Sequence, residues 1–214
     1  MSNKKLRVLV TSGPTREYID PVRFLTNGSS GQMGLSITLA LLEKGFEPVV
    51  VSGPVSIEYP SEAEVHFVET TEEMLMKSLS VFGSCVGAIG TAAPCDYKPR
   101  EFSLQKISKP KTGVGLSIEL EQTEDILATL GKIKRKDQWS VGFALETENG
   151  EINAMNKLKR KNCNFIALNS PNSINNDSIE LQVFNEKNGR LATLSGTKLQ
   201  AAKKLIELIV NVHS

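Results

Sequence analysis

The residues that could do chemistry fall in short, separated stretches. Gly13, and the turn Gly28-Ser29-Ser30-Gly31-Gln32-Met33-Gly34, could offer runs of backbone N–H groups to phosphates where a helix opens. By composition alone that turn reads as an ordinary loop in which Ser30 caps the next helix. Gly90-Thr91-Ala92-Ala93 closes an apolar run with small residues, and the carboxyl edge of a parallel strand is where doubly wound sheets bind ligands. Asp96 follows at once and could meet a hydroxyl, an amine or a metal, or simply make a turn. Lys106-Ile107-Ser108-Lys109 could fold over a bound anion, or be a solvated basic loop. Lys157 and Lys161 stand at i and i+4, with Lys159 and Arg160 between them. Like charges at that spacing repel, so the pair either faces solvent or shares an anion. Cys95 has no histidine close in sequence and reads as incidental. His66 falls within a strand pattern and His213 is terminal, so neither is a catalytic candidate.

The elements that must position these residues alternate between strand and helix. Residues 6–12 read as a buried first strand, and apolar positions from Met33 to Leu42 fit a helix packed on a sheet. Further strands are expected at 48–52, 65–68 and 86–93, with a helix opening at Thr71. This βαβ order predicts a parallel, doubly wound, Rossmann-like sheet. Residues 94–114 hold three prolines and five basic residues with little periodicity, so a long, mobile basic flap is expected over about 97–114. Leu116–Glu121 alternates like a half-exposed strand, and a helix is expected from Thr123 with acidic residues in its first turn. A strand over 140–145, a short basic helix over 151–161 and a strand over 164–169 follow. Asn188-Gly189 predicts a type I′ turn in a hairpin over 181–194, and Thr197 caps a last amphipathic helix.

Composition narrows the classes. The chain has 214 residues and a formal net charge of +1, enough length for one domain and no surplus of cations for general nucleic-acid binding. No apolar run approaches the ~20 residues of a membrane helix, and the short Val8-Leu9-Val10 is no signal-peptide core. Three widely spaced cysteines form no CxxC pair, so a reduced, cytoplasmic protein is expected. The near-zero total conceals two cationic clusters. Residues 98–111 carry five basic side chains against one acidic, and 157–161 carry four basic and none acidic. That suffices for a small polyanion.

Taken in order, the motifs resemble a known family. Thr15-x-Glu17-x-Ile19-Asp20-x-Val22-Arg23 and Asn27-x-Ser29-Ser30-Gly31-x-Met33-Gly34 are similar to the signature of phosphopantothenate–cysteine ligase. This is the synthetase domain often fused behind a flavin-dependent decarboxylase in bacterial coenzyme A biosynthesis. Ala92-Ala93-x-x-Asp96-Tyr97, Lys106-Ile107-x-Lys109, Gly142-Phe143-Ala144-x-Glu146-Thr147, Lys157-Leu158-x-x-Lys161 and Ala167-x-Asn169 follow in register, so the resemblance spans the chain. It departs from the usual pattern at Gly13-Pro14, Gln32, Pro94-Cys95 and Ser108.

The resemblance implies a free-standing, single-domain ligase that activates 4′-phosphopantothenate with CTP and joins it to L-cysteine. Mg²⁺ would accompany the triphosphate, with no protein ligand named for it, and no flavin is implied. Asn27 would be the central catalytic amide, Lys106 the flap cation, and Asp96 a contact to the pantothenate portion or the nucleotide. Arg23, Ala92 and Ala93 would complete the phosphopantothenate site, with Arg23 reaching across a homodimer interface. Gly13, Ser29, Gly31, Gly34, Gly90, Thr91, Phe143, Ala144, Leu145, Glu146, Lys157, Lys161 and Asn169 would form the nucleotide site, together with Ala92, Asp96 and Lys106. A separate decarboxylase is a possible partner; nucleic acid and membrane are not expected. The rival readings are the same ligation driven by ATP, a nicotinamide-dependent oxidoreductase and a non-catalytic nucleotide-binding protein. The missing G-x-G-x-x-G after the first strand counts against the oxidoreductase.

Overall fold

A computed structural model describes residues 5–108, 115–146, 148–169 and 178–213, with His213 described by its backbone only. In chain order the elements are β1 (Arg7–Ser12), β2 (Arg16–Tyr18), β3 (Phe24–Thr26), α1 (Gln32–Glu43), β4 (Glu47–Ser52), β5 (Glu64–Phe67), α2 (Thr71–Phe82), β6 (Gly87–Gly90), β7 (Tyr97–Pro99), β8 (Leu120–Gln122), α3 (Ile126–Ile133), β9 (Trp139–Leu145), α4 (Gly150–Arg160), β10 (Phe165–Asn169), β11 (Ser178–Asn185), β12 (Gly189–Thr197) and α5 (Lys198–His213).

The main sheet runs β12-β11-β10-β9-β6-β1-β4-β5. The strands from β10 to β5 are parallel, and β11 and β12 extend the sheet antiparallel. Alternate residues of the buried strands feed opposite faces. Val8, Val10, Val50, Val141 and Phe165 pack under α1 and α5. Leu9, Val49, Val51 and Ala88 pack under α2 and α3, and Ala144, Ile166 and Leu168 under α4. Helix α5 shows how sequence sets that face: Ala201, Ala202, Leu205, Ile206 and Ile209 recur at helical spacing and all are buried. Each large aliphatic side chain so buried contributes about 1.5–3 kcal/mol.

The doubly wound parallel sheet and the C-terminal hairpin are therefore as expected, while several local details differ. Helix α1 is entered through Gly31, at φ 76°, and no side chain caps it, so Ser30 is not the cap. The expected structureless flap contains β7, which pairs antiparallel with β8, itself confined to Leu120–Gln122. Three-residue strands are too short to show an alternation. Helix α3 starts at Ile126 rather than Thr123, because Asp125 is its N-cap and accepts from Ala128 N at 3.0 Å. The β11–β12 turn is not type I′: Asn185 pairs with Gly189, and of Asn188 and Gly189 only the glycine has positive φ. The backbone N–H of Asn188 donates to Asn185 Oδ1 at 2.8 Å, and a three-residue loop closed by a left-handed glycine results. The pair β2–β3, inside the long segment before α1, had no counterpart in the sequence pattern.

Candidate active site

The chain passes from β1 to β4 and β5 on one side, then returns to place β6 on the other side of β1. That reversal opens a crevice beyond the carboxyl ends of β1 and β6. Backbone pairing continues to its rim: Thr91 N donates to Thr11 O at 3.1 Å, and Ala93 N to Gly13 O at 2.9 Å. The Thr91 hydroxyl also donates to Thr11 O, at 2.7 Å. Helix α1 begins against this crevice. A Cβ on Gly34 would lie 2.0 Å from Ser12 Oγ, so only glycine admits that approach. The first N–H groups of α1 receive no side-chain cap, which leaves them available to an anion.

The segment from Gly13 to Asn27 folds back over the same edge. Thr15, Glu17 and Asp20 are buried within it, and each has partners. The Thr15 hydroxyl lies 2.8 Å from that of Thr71 and accepts from Cys95 N at 2.8 Å. Glu17 Oε1 accepts from Thr71 N at 2.8 Å, at the start of α2. Asp20, fully buried, accepts from Val22 N and Arg23 N through Oδ1, and from the Arg23 guanidinium through Oδ2. Arg23 and these N–H groups hold the Asp20 carboxyl far below the usual range despite burial. Asn27 ends the segment. Its exposed side chain donates through Nδ2 to Ala93 O at 3.1 Å and Pro94 O at 2.9 Å. Asn27, Ala93 and the crevice therefore form one unit. Cys95 is buried with its Sγ 3.6 Å from Thr15 O, and burial raises its thiol pKa, which fits an inert role.

The flap leaves from the β6 side. Asp96 is exposed; its backbone carbonyl accepts from Thr123 N at 3.0 Å. Ser103 N donates to Ile19 O at 3.0 Å, and Ile107 N to Asp20 Oδ2 at 3.1 Å. Lys106, between these anchors, is exposed. Lys109 and the rest of 109–114 lie outside the described residues, as does Thr147.

The second cationic segment follows β9, the neighbour of β6. Ala144 is buried, Phe143 half-buried and Leu145 exposed, and Asn169 pairs in register with Leu145. Glu146, Asn153, Asn156, Lys157 and Arg160 line an open cavity of about 260 Å³. Asn153 Nδ2 donates to Glu146 Oε2 at 3.1 Å. Lys157 and Lys161 do not face solvent freely: Lys161 is paired with Asp125 at 2.9 Å, and Lys157 lines the cavity. Burial, then the charge of Lys161, lowers the Lys157 pKa. For Asp125, burial pushes the other way, but Ala128 N–H and Lys161 leave its carboxyl below the ordinary value.

Residues 3–212 match the family model described as DNA/pantothenate metabolism flavoprotein C-terminal domain. The chain belongs to this family. It is 37% identical to the coenzyme A biosynthesis bifunctional protein CoaBC of Haemophilus influenzae over 208 residues, 96% of this chain and 51% of that protein. It is 46% identical over 167 residues to a prokaryotic protein named cysteine/cysteine sulfinic acid decarboxylase, covering 77% of this chain and 45% of that one. The chain thus spans about half the length of the curated relatives it matches. The crystal structure of the C-terminal domain of CoaBC superposes with a TM-score of 0.81 at 36% identity, covering 97% of this chain and 95% of that one.

Within this member of the DNA/pantothenate metabolism flavoprotein family, the structure gathers eight of the nineteen candidates around one edge. Gly13, Gly31, Gly34, Gly90, Thr91, Ala92, Ala93 and Asn27 meet at the switch point. Ser29 Oγ is only 3.5 Å from Gly31 N, a weak contact. Arg23 is engaged by Asp20 and by Ile107 O at 2.7 Å, rather than standing free. Sequence reasoning assigned no role to Asp125, Asn153, Asn156 or Arg160. Asp125 did carry a signal, an N-cap residue just before the apolar Ile126-Leu127. The two asparagines carried none, because only the fold sets them facing Glu146.

Proposed function

We propose that this chain is a CTP-dependent phosphopantothenate–cysteine ligase. The observation that carries the reading is Asn27, its amide held on the Ala93 and Pro94 carbonyls at the topological switch point. A carboxylate is a poor electrophile. One of its oxygens would attack the α-phosphorus of CTP, breaking the bond to the bridging oxygen and releasing pyrophosphate. The cysteine amine would then attack the acyl carbon of the cytidylate, lose a proton and expel CMP. Both steps build negative charge, so fixed donors and cations are the protein's main lever.

Both N–H groups of Asn27 are committed to carbonyls. Holding the substrate carboxylate means trading one of those contacts for it. Lys106 supplies a cation beside the triphosphate, and the uncapped α1 N-terminus supplies N–H groups. The cavity at Glu146, Asn153, Asn156, Lys157 and Arg160 takes part of the nucleotide. Among the described residues no three His, Cys, Asp or Glu side chains converge. Mg²⁺ would accompany the triphosphate, supplying positive charge to its oxygens. A homodimer, a separate decarboxylase partner and a cytoplasmic location belong to the same proposal. Among the described residues no helix is long and apolar enough to cross a membrane.

The test is pyrophosphate release, with CTP and ATP side by side. Release from CTP that depends on phosphopantothenate is expected. Equal release without that substrate defeats the ligase reading, and a clear preference for ATP corrects the nucleotide.

A further inference from the structure

Asp20 is the most heavily satisfied acid on this edge, and its partners come from two distant stretches of chain. Five N–H groups converge on it: those of Val22, Arg23 and Ile107, and two from the Arg23 guanidinium. It is fully buried, where an unpaired carboxylate would be prohibitively costly. A turn needs only Oδ1 and the Val22 and Arg23 amides for this. Oδ2 does something else, holding Arg23 Nε at 2.9 Å and Ile107 N at 3.1 Å, 87 residues away in sequence. Arg23 closes the ring by donating through Nη2 to Ile107 O at 2.7 Å. Ile107 thus has both backbone polar groups gripped, and it is the residue after Lys106. The Ser103 N to Ile19 O bond, 3.0 Å, ties the flap to the same turn three residues before Lys106. Arg23 Nη1 has no partner among the described residues, so it can serve an incoming anion without releasing Asp20.

We infer that Asp20 is a positioning residue for the ligation: one buried carboxylate orients the phosphate-binding fork of Arg23 and fixes the backbone that presents Lys106. This rests on the ligase reading for the roles of Arg23 and Lys106, but the clasp itself is independent of it. Asp20 touches no substrate. It acts by setting two cations in a common frame, so neither pays the ordering cost at the moment of binding. Arginine suits the post because its rigid fork can hold an acid on one edge and a phosphate on the other.

Amide hydrogen exchange on the unmodified, ligand-free protein is the first measurement. The Ile107 amide should be protected at least tenfold more than those of Lys106 and Ser108. Exchange of Ile107 at the rate of its neighbours overturns the clasp, and needs no variant. In Asp20→Asn the charge and the Oδ2 acceptor are lost while Oδ1 can still serve the turn. That variant should lose the Ile107 protection and be cut faster by trypsin after Lys106. Its KM for phosphopantothenate should rise, and its kcat fall, each about tenfold or more. The cysteine KM should move less than twofold. A folded Asp20→Asn with unchanged Ile107 exchange, or with unchanged kcat and phosphopantothenate KM, overturns the inference. A wild-type protein with a protected Ile107 and no ligase activity overturns the ligase reading and leaves the clasp standing.

Discussion

The Gly13–Asn27 segment and the α4 region both face the proposed ligands, but they are built on different principles. In the first, Thr15, Glu17 and Asp20 are buried, and their partners are mostly backbone N–H groups of the same chain. In the second, Lys157, Arg160, Asn153 and Asn156 border an open cavity, and Lys161 has a single acid, Asp125. The first region is settled before any ligand arrives, since buried polar groups cannot be left unpaired. The second keeps a surplus of positive charge that only an anion can neutralise. Fixed donors suit the reacting centre, where misplacement is punished most. Cations bordering an open cavity suit capture of a solvated polyphosphate.

Substitutions should therefore separate the regions by what they damage. The largest effect is expected from Asn27→Asp, which sets a carboxylate against the Ala93 and Pro94 carbonyls. Turnover should fall about 10²–10³-fold or more, the scale of losing one fixed donor to a developing charge. Single-turnover kinetics would check this, and normal turnover would remove Asn27 from the mechanism. Thr15→Val comes next. It leaves Cys95 N–H without its acceptor in a buried setting, and should cost about 1–3 kcal/mol in urea unfolding. A cost below about 0.5 kcal/mol would mean the first region is less committed than its hydrogen bonds indicate.

Lys157→Ala should do the reverse: weaken CTP binding by roughly 5–10-fold, more at low salt than at high, with little change in stability. Calorimetric titration at two ionic strengths would check it. A stability loss without an affinity loss would erase the contrast. Asp125→Asn should steepen nothing but flatten the acid limb of unfolding. The Asp125 carboxyl is held below its unfolded value, so its contribution is present above the ordinary carboxylate range and is lost as pH falls through the folded value. The smallest effect is expected from Arg100→Ala. Its pair with Glu119 is exposed on both sides, and such pairs are worth about 0–1 kcal/mol.

Much of the frame was legible in the sequence. Continuous apolar runs such as Val8-Leu9-Val10 and Pro48-Val49-Val50-Val51 mark buried parallel strands, and small residues at Gly90–Ala93 mark a strand end open to a ligand. The pair β2–β3 and the strand β7 were not legible, because three residues carry no usable period, and β8 was expected only as the longer run 116–121. The like-charge repulsion between Lys157 and Lys161 was legible and lowers the Lys157 pKa; its partial relief by Asp125 was not, because Asp125 caps another helix.

The sequence by itself determined the alternation of elements, a buried parallel core, two cationic clusters and the motif residues around Asn27. These depend on periodicity, composition and local turn chemistry, all of which act between near neighbours in the chain. Only the tertiary structure decided what each polar group is paired with. Asp20 meets Ile107, Asn27 meets Ala93, and Lys161 meets Asp125 across gaps that no local pattern spans. The reason is physical. A charge or amide is satisfied by whichever group the folded backbone brings within about 3 Å, and that proximity exists only once the sheet has closed.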